Sequence, residues 1–195
     1  MYELPTTVTV NDTVYTIREQ GDFRMVLDCF NVLNDVAIAE NERLCAVLII
    51  FYEDFDSVES VVSIEEGTLH SLIDSAFSFF NCGQNHIAGE TNYKTIDWEQ
   101  DSQLISSAVN KVAGKEIRAE QYLHWWTFMG YFNAVGESAL STVVGIRHKM
   151  ATHKKLEKYE NDYVKNNPQY FTLDMRSLQE REDDEWLSKV WGKEQ

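Results

Sequence analysis

The spacing of hydrophobic residues along the chain changes near residue 22, from every second position to every third or fourth. Hydrophobic and polar residues alternate from Thr6 to Ile17, with Asn11 and Asp12 in the middle of this stretch. A two-residue turn at Asn11 and Asp12 predicts three facing pairs, namely Val10 with Thr13, Val8 with Tyr15 and Thr6 with Ile17. We therefore expect a β-hairpin with one apolar face, which packs on the helices that follow because an isolated hairpin is marginally stable in water.

The remainder of the chain has the spacing of amphipathic helices, in six segments. Asp22 precedes the first segment and is a candidate N-cap. The predicted helices cover Phe23 to Leu33, Ile38 to Tyr52, Glu65 to Phe80, Asp97 to Ala113 with Asp97 as N-cap, Ala119 to Val135, and Ser138 or Ser141 to Val164. The predicted fold class is mainly α: a helical bundle of about six helices with an N-terminal β-hairpin and a C-terminal helical tail.

Three segments of this pattern predict where parts of the bundle lie. The segment Ala119 to Val135 is the most aromatic and is apolar most of the way round, so we expect it at the centre of the bundle. The last predicted helix loses its apolar face after Met150 and is expected to project from the bundle. The stretch from Asp28 to Glu66 contains ten acids and a single base, Arg43, and residues 53–56 within it are predicted to form a solvated loop.

The chain is predicted to divide after residue 166. Residues 1–166 would form the hairpin and the bundle, and residues 167–195 an acidic C-terminal helical tail. This tail ends in four apolar residues at helical spacing: Trp186, Leu187, Val190 and Trp191. These residues are a candidate anchor for a partner protein, and the alternative is that they fold back onto the protein's own core.

Charge narrows the range of partners. The chain has 17 Lys and Arg against 32 Asp and Glu, a net charge of −15, so we expect no nucleic acid as a partner. The longest apolar run, Leu44 to Tyr52, is far shorter than the ~20 residues of a membrane-spanning helix, and the N-terminus lacks a secretory pattern. We therefore expect no membrane contact and a cytoplasmic location. The cysteines are odd in number and lie among apolar residues, which predicts buried thiols at Cys29, Cys45 and Cys82.

The stretch from Arg147 to Lys165 is a local exception to the acidic charge, with six bases and three acids. Three interpretations stay open for it. It contacts an acidic partner, it docks on the acidic surface of another copy in an oligomer, or it is a solvated helix face.

Glu116, Glu120 and His124 recur at every fourth residue and would offer two carboxylates and an imidazole to a metal ion. Four-helix metal sites repeat a Glu-x-x-His pair on a second helix, and the sequence has no second copy. The alternative is that His124 is a partly buried residue that donates to a carboxylate or a carbonyl. Neither a nucleophile elbow nor a phosphate-binding glycine motif is present. The sequence therefore predicts no enzyme, no metal and no cofactor.

Several uncommon strings follow one another in a fixed order. They are D-F-R at 22–24 after the hairpin, F-F-N-C-G at 79–83, D-W-E-Q-D at 97–101, L-H-W-W-T-F at 123–128 and G-I-R at 145–147. In this combination the chain resembles the gene-product-fifteen family of tailed bacteriophages of Gram-positive hosts, over about residues 4–160.

The resemblance implies a tail assembly protein, encoded just ahead of the tape-measure gene in long-tailed phages (siphophages). By that position the family members are taken as counterparts of tail assembly chaperones, which escort the long, helical, apolar tape-measure protein until the tail tube forms. The expected partners are the tape-measure protein, the tail-tube protein and further copies of the chain. The expected location is the host cytoplasm during assembly, with absence from the mature virion. The alternative is a minor structural protein retained in the mature tail.

The resemblance offers no catalytic residues. Its motif positions are expected to fix the fold, with Asp97 or Asp101 paired to Arg147. We call these positions the fold-fixing motif: Asp97, Trp98, Asp101, His124, Trp125, Trp126 and Arg147.

Overall fold

The computed structural model describes residues 3–84 and 93–173, which form an antiparallel hairpin followed by eight α-helices. The strands are β1 (Thr7–Val10) and β2 (Thr13–Thr16). The helices are α1 (Phe23–Asn34), α2 (Glu40–Phe51), α3 (Val58–Val62), α4 (Glu66–Phe80), α5 (Ser102–Ala113), α6 (Trp125–Asn133), α7 (Ala139–Ala151) and α8 (Lys158–Asn166). The predicted mainly α fold with an N-terminal hairpin is confirmed, with more helices than the six expected. Residues 174–195, and with them most of the predicted tail, lie outside the described residues.

The hairpin has the predicted register. Val10 pairs with Thr13 and Val8 with Tyr15, and the turn residues Asn11 and Asp12 both have positive φ, as a two-residue hairpin turn requires. Val10 and Tyr15 are buried on the same side, and the Tyr15 ring packs against the rings of Tyr52 and Phe55. The apolar face of the hairpin therefore packs on the helical part of the protein.

A tight turn, Arg18–Gly21, connects the hairpin to α1 and places Arg18 at the C-terminal end of α2. The Arg18 guanidinium donates to four backbone carbonyl oxygens at 2.9 to 3.2 Å, those of Ile49, Ile50, Tyr52 and Phe55. A positive side chain that satisfies the last carbonyls of a helix stabilises that helix end. Residues 53–56 form a loop whose acidic side chains are exposed, as predicted, but the Phe55 ring within it is buried in the core.

The aromatic helix α6 buries one face in the core, while other positions of the predicted central segment 119–135 are exposed, so the segment is central only in part. Trp125 and Phe128 of α6 are fully buried. The Phe128 ring stacks on Phe23 of α1 with centroids 4.8 Å apart, and Phe30 of α1 and Trp98 pack edge-on against the Trp125 ring. Offset and edge-to-face contacts of this kind add to the hydrophobic gain from burial. They join α1, α6 and the segment before α5 into one core.

Two helices begin later than predicted. Asp97 caps a turn at residues 98–101, where its carboxylate accepts from the backbone N–H groups of Glu99 and Gln100 at 3.0 and 2.7 Å, and α5 begins only after Asp101. The aromatic helix was predicted from Ala119, but α6 begins at Trp125.

The late start of α6 has a tertiary cause. The Leu123 N–H donates to the Asp22 carboxylate at 2.8 Å, and the Leu123 carbonyl accepts from the Phe23 N–H at 2.9 Å. These bonds hold the backbone before α6 extended against the start of α1. Asp22 is also the N-cap of α1, as predicted, since it accepts from the Arg24 N–H at 3.0 Å.

The long last helix of the prediction is two helices, and it does not project from the bundle. The chain leaves α7 through His153 with a positive φ, and the Lys154 N–H donates back to the Lys149 carbonyl at 2.8 Å, which is a helix-ending pattern. α8 then folds back, and Lys149 donates to the buried Glu160 carboxylate at 2.6 Å. The division of the chain after residue 166 stays a prediction.

Gly21 is predicted to be irreplaceable. Its φ is +79°, and a Cβ added there would lie 2.8 Å from the Phe79 ring and 3.0 Å from His124 Nε2. We expect Gly21→Ala to lower the free energy of unfolding by about 2–4 kcal/mol, from backbone strain and overpacking together. The control is Gly114→Ala, where φ is +68° and no atom lies within 4 Å, so that strain alone should cost about 1 kcal/mol. Urea denaturation measures both, and equal losses would contradict the packing argument.

Candidate functional site

A buried ion pair joins two members of the fold-fixing motif. Asp101, at the N-terminal end of α5, and Arg147, on α7, are both buried, and the two guanidinium nitrogens of Arg147 donate to the two carboxylate oxygens at 2.5 and 2.8 Å. Arg147 also donates to the carbonyl oxygens of Thr95 and Tyr170 at 2.9 and 2.7 Å. The Asp97 N–H donates to Asp101 at 2.9 Å. These contacts place Asp101, rather than Asp97, opposite Arg147.

Asp97 and Trp98 stabilise the same region, Asp97 through hydrogen bonds at the turn before α5 and Trp98 through packing in the core. Burial alone would raise the pKa of the Asp97 carboxyl, but hydrogen bonds from Lys94, at 2.8 Å, and from the Gln100 N–H outweigh it and hold that pKa below its usual value. The Trp98 ring packs between Phe30 and Phe132, with centroids 5.9 and 5.2 Å away. Both residues therefore act in capping and core packing.

His124 is the N-cap of α6 and is buried. Its Nδ1 accepts from the Trp126 N–H at 3.0 Å, so Nε2 carries the proton and donates to the Pro5 carbonyl, also at 3.0 Å. The donation to a carbonyl expected from the sequence is present. Burial lowers the pKa of His124, and the Pro5 carbonyl and the charge of Asp22 oppose this only in part. The neutral ring is the form that caps α6, because a protonated Nδ1 has no lone pair to accept with.

The two tryptophans that follow His124 fasten α6 to the end of α4. The Trp125 and Trp126 indole N–H groups donate to the carbonyl oxygens of Phe80 and Phe79, each at 2.9 Å. The last carbonyls of a helix have no partner within it, and Trp125 supplies one to Phe80. The Phe79 carbonyl also accepts from the Cys82 N–H at 2.9 Å, so Trp126 gives it an additional donor. The polar side chains of Asp101, Arg147, His124, Trp125 and Trp126 thus bond to other parts of the same protein.

Glu116, Glu120 and His124 do not form a metal site, because no helix runs through them. Glu116 caps a short 3₁₀ turn, and hydrogen bonds from Arg118 lower its pKa to about 2. Glu120 pairs with Lys115 at 3.1 Å, and His124 is used as described above. Among residues 3–84 and 93–173, no group of three His, Cys, Asp or Glu side chains is arranged to hold a metal ion.

An apolar groove open to solvent lies between α2, α3 and α4, with a volume of about 480 Å³. We call it the α2–α4 groove. Its floor contains the buried Leu48 and Val61, and its rim contains Val58 and Val62, which are 55% and 68% exposed. Other apolar walls come from Leu44, Cys45, Ile49, Leu69 and Ile73, and polar margins from Asn41, Glu42 and His70.

The sequence analysis missed this groove, although α2 contains a signal for it. Residues 44–51 are apolar without a break, so apolar side chains surround the helix instead of forming one stripe. Val47 and Phe51 enter the core, while Cys45 and Ile49 stay partly exposed on another side. α3 has only five residues and covers that side incompletely. An all-round apolar helix beside a short helix is therefore a signal of an open apolar face.

Apart from Cys45, which lines this groove, the other residues singled out in the sequence lie outside the groove or outside the described residues. Trp186, Leu187, Val190 and Trp191 belong to the undescribed C-terminal residues. The three cysteines are free thiols, of which Cys29 is buried as predicted and Cys45 and Cys82 only partly so. In the basic stretch 147–165, Arg147 and Lys149 are used in internal ion pairs.

The fold and the site define a small helical-bundle protein that presents an apolar groove. The chain belongs to the bacteriophage Gp15 protein family, whose model matches residues 1–173. The predicted family is thereby confirmed, and its link to siphophages stays a prediction. Comparison with curated proteins and with solved structures finds no match. Within the described residues, no helix has both the length and the apolar character needed to cross a bilayer.

The buried ion pair should behave differently from an exposed one. We expect Arg147→Met to lower the free energy of unfolding by about 3–5 kcal/mol, because Asp101 is then left buried and uncompensated. The double variant Asp101→Leu with Arg147→Met should lose less than the sum of the two single changes. Arg118→Met, at the exposed pair with Glu116, is the control and should change little. Equal losses for the two arginines in urea denaturation would refute this account.

His124 should make the protein sensitive to mild acid. Its folded pKa lies below the ordinary value of 6.5, so the folded state binds a proton less readily than the unfolded chain. The contribution of neutral His124 to stability is complete above pH 6.5, the ordinary pKa of histidine. It is lost as the pH falls from there through the lower pKa of the folded state. We expect His124→Asn, which retains a good N-cap, to flatten the loss of thermal stability between about pH 7 and 5. The exposed His70→Asn is the control; an unchanged profile in His124→Asn would exclude this role.

Proposed function

We propose that the protein is a phage tail assembly chaperone, which binds the tape-measure protein and keeps it soluble during tail morphogenesis. The observation that carries the proposal is the solvent-open apolar groove between α2, α3 and α4. The family resemblance implies that the tape-measure protein, the proposed client, is long, helical and apolar. Such a client needs an apolar surface on its escort, and large exposed apolar surfaces on soluble proteins often mark binding sites.

The dimensions of the groove suit a helical client. α2 has 12 residues and is therefore about 18 Å long, enough to contact several turns of a docked helix. The groove is lined by side chains at the i, i+3 and i+4 spacing on three helices. An amphipathic helix that lies in such a groove contributes apolar residues at the same spacing, which is a common mode of peptide recognition.

The charge of the protein supports the same role. A net charge of −15 keeps a complex soluble while apolar segments of the client are covered. The buried polar residues of the fold-fixing motif favour binding over catalysis, because Asp101, Arg147 and His124 all bond to protein groups inside the bundle. The proposal includes self-association, contact with the tail-tube protein, assembly in the host cytoplasm and absence from the mature virion.

Co-expression with the tape-measure protein of the same phage tests the proposal. We expect a larger soluble fraction of the tape-measure protein and its co-purification with this chain, compared with co-expression of an unrelated acidic protein of similar size. A tape-measure protein that becomes soluble without ever co-purifying would contradict direct binding.

Full-length Trp186→Ala with Trp191→Ala tests the predicted C-terminal anchor, and unchanged co-purification would remove that segment from the interface.

The alternative function, a minor structural protein of the tail, makes a different prediction about the particle. Mass spectrometry of purified virions should find no stoichiometric copies of a chaperone. A fixed copy number in each virion would replace the chaperone proposal with the structural one.

A further inference from the structure

We propose that the α2–α4 groove binds an amphipathic helix that carries lysine or arginine beside its apolar stripe. This inference rests on the proposed function and specifies the chemistry of the partner segment. Three observations support it: the apolar spacing inside the groove, the charge around the groove, and the composition of the chain's own segments as alternative occupants.

The apolar interior of the groove has helical spacing. Each of the three helices presents a pair of apolar residues four positions apart: Cys45 and Ile49 on α2, Val58 and Val62 on α3, and Leu69 and Ile73 on α4. Residues four apart on a helix lie on the same face. The three faces converge over the buried Leu48 and Val61, so a docked helix would cover one continuous apolar surface.

The margins of the groove are negatively charged. Glu42 lines the groove directly. Glu66 precedes Leu69 by three residues and therefore lies on the same face of α4, and Glu59 stands in the same relation to Val62 on α3. All three glutamates are exposed, and within the described residues none of them forms an ion pair.

Basic residues on the same helices do not offset this charge. Arg43 is the single base between residues 28 and 66, and it donates to the Leu33 carbonyl at the end of α1, at 2.9 Å. A partner with lysine or arginine beside its apolar stripe would place positive charges opposite Glu42, Glu59 and Glu66. Their long aliphatic stems would at the same time cover the exposed rim valines.

The chain's own C-terminal segment is a poor match for these margins. It has the apolar residues, but residues 174–195 contain seven acids against four bases, and four of the acids immediately precede or adjoin the first tryptophan, at positions 182–185. Like charges that face each other across a contact disfavour it.

A second copy of the chain is also a poor match. Its basic stretch, residues 147–165, supplies lysines, but the large apolar residues exposed on it are Met150 on α7 and Tyr159 on α8. These two side chains lie on different helices and do not form the single apolar stripe that would fill a groove of about 480 Å³. A basic amphipathic helix from another protein combines the two properties that these segments have only separately.

Two synthetic helical peptides of about 18 residues test the proposal. Both carry leucine at the i, i+3, i+4 spacing; one carries lysine on the flanks of the stripe and the other glutamate. We expect the lysine peptide to bind the full-length protein at least tenfold more tightly than the glutamate peptide, with an affinity that falls as salt is added.

Binding of the lysine peptide should also slow maleimide labelling of Cys45, in the groove, while Cys82, outside it, reacts as before. Burial raises the pKa of both thiols, so both are compared at one pH.

Matched substitutions locate the site. Val58→Ser with Val62→Ser should weaken binding of the lysine peptide at least tenfold, and serine and valine have similar helix propensities, so α3 should persist. Val14→Ser with Val36→Ser removes two equally exposed valines, 58% and 61%, outside the groove and should have no effect.

A second pair of variants tests the charge. Glu42→Lys with Glu59→Lys should weaken binding of the lysine peptide and strengthen binding of the glutamate peptide. Glu137→Lys, on the connection between α6 and α7, makes the same kind of change at an exposed position away from the groove and serves as the control.

The other outcomes distinguish a failure of this inference from a failure of the chaperone function. Equal binding of the two peptides would exclude selection by charge. Faster Cys45 labelling in full-length Trp186→Ser with Trp191→Ser, without peptide, would show that the C-terminal segment occupies the groove. Slower Cys45 labelling at higher protein concentration would identify a second copy as the occupant. Peptide binding without tape-measure binding would refute the chaperone function alone, and tape-measure binding unaffected by the groove variants would refute this inference alone.

Discussion

The second half of the bundle depends on the ion pair between Asp101 and Arg147. The pair joins the start of α5 to α7 inside the protein, and a lone charge at that depth would cost about 3–5 kcal/mol. The remaining guanidinium donors bond to the Thr95 and Tyr170 carbonyls, so the same side chain fixes the segment before α5 and the turn after α8. Irregular segments of this kind need specific partners for their backbone groups, because they have no ladder of internal hydrogen bonds.

The first half of the bundle follows the same principle with other side chains. Arg18 satisfies the carbonyls at the end of α2, Trp125 and Trp126 satisfy those at the end of α4, and His124 accepts from the start of α6. These residues are therefore occupied by the bonds that define the helix ends. In the described part of the chain, the α2–α4 groove is apolar surface that these bonds leave available to another molecule.

Sequence reasoning succeeded where the determining contacts are local. The hairpin register follows from alternation and the Asn11-Asp12 turn, and the N-cap at Asp22 acts on its own helix. It failed at the start of α6, because Leu123 is held extended by residues about 100 positions away. It also missed the groove, since a hydrophobic pattern identifies apolar faces without telling which face a neighbouring helix will cover.

An exposed apolar groove favours non-specific self-association, and the negative charge of the protein opposes such association. Val58 and Val62 are exposed on a short helix whose N-terminus is capped by reciprocal hydrogen bonds between Ser57 and Ser60. When two copies approach groove to groove, the margins around Glu42 and Glu66 repel each other, whereas a basic helix is attracted to the same margins. In the proposed mode of binding, the acidic margin would both attract a basic partner and repel a second acidic copy, and such a combination is a common source of binding specificity.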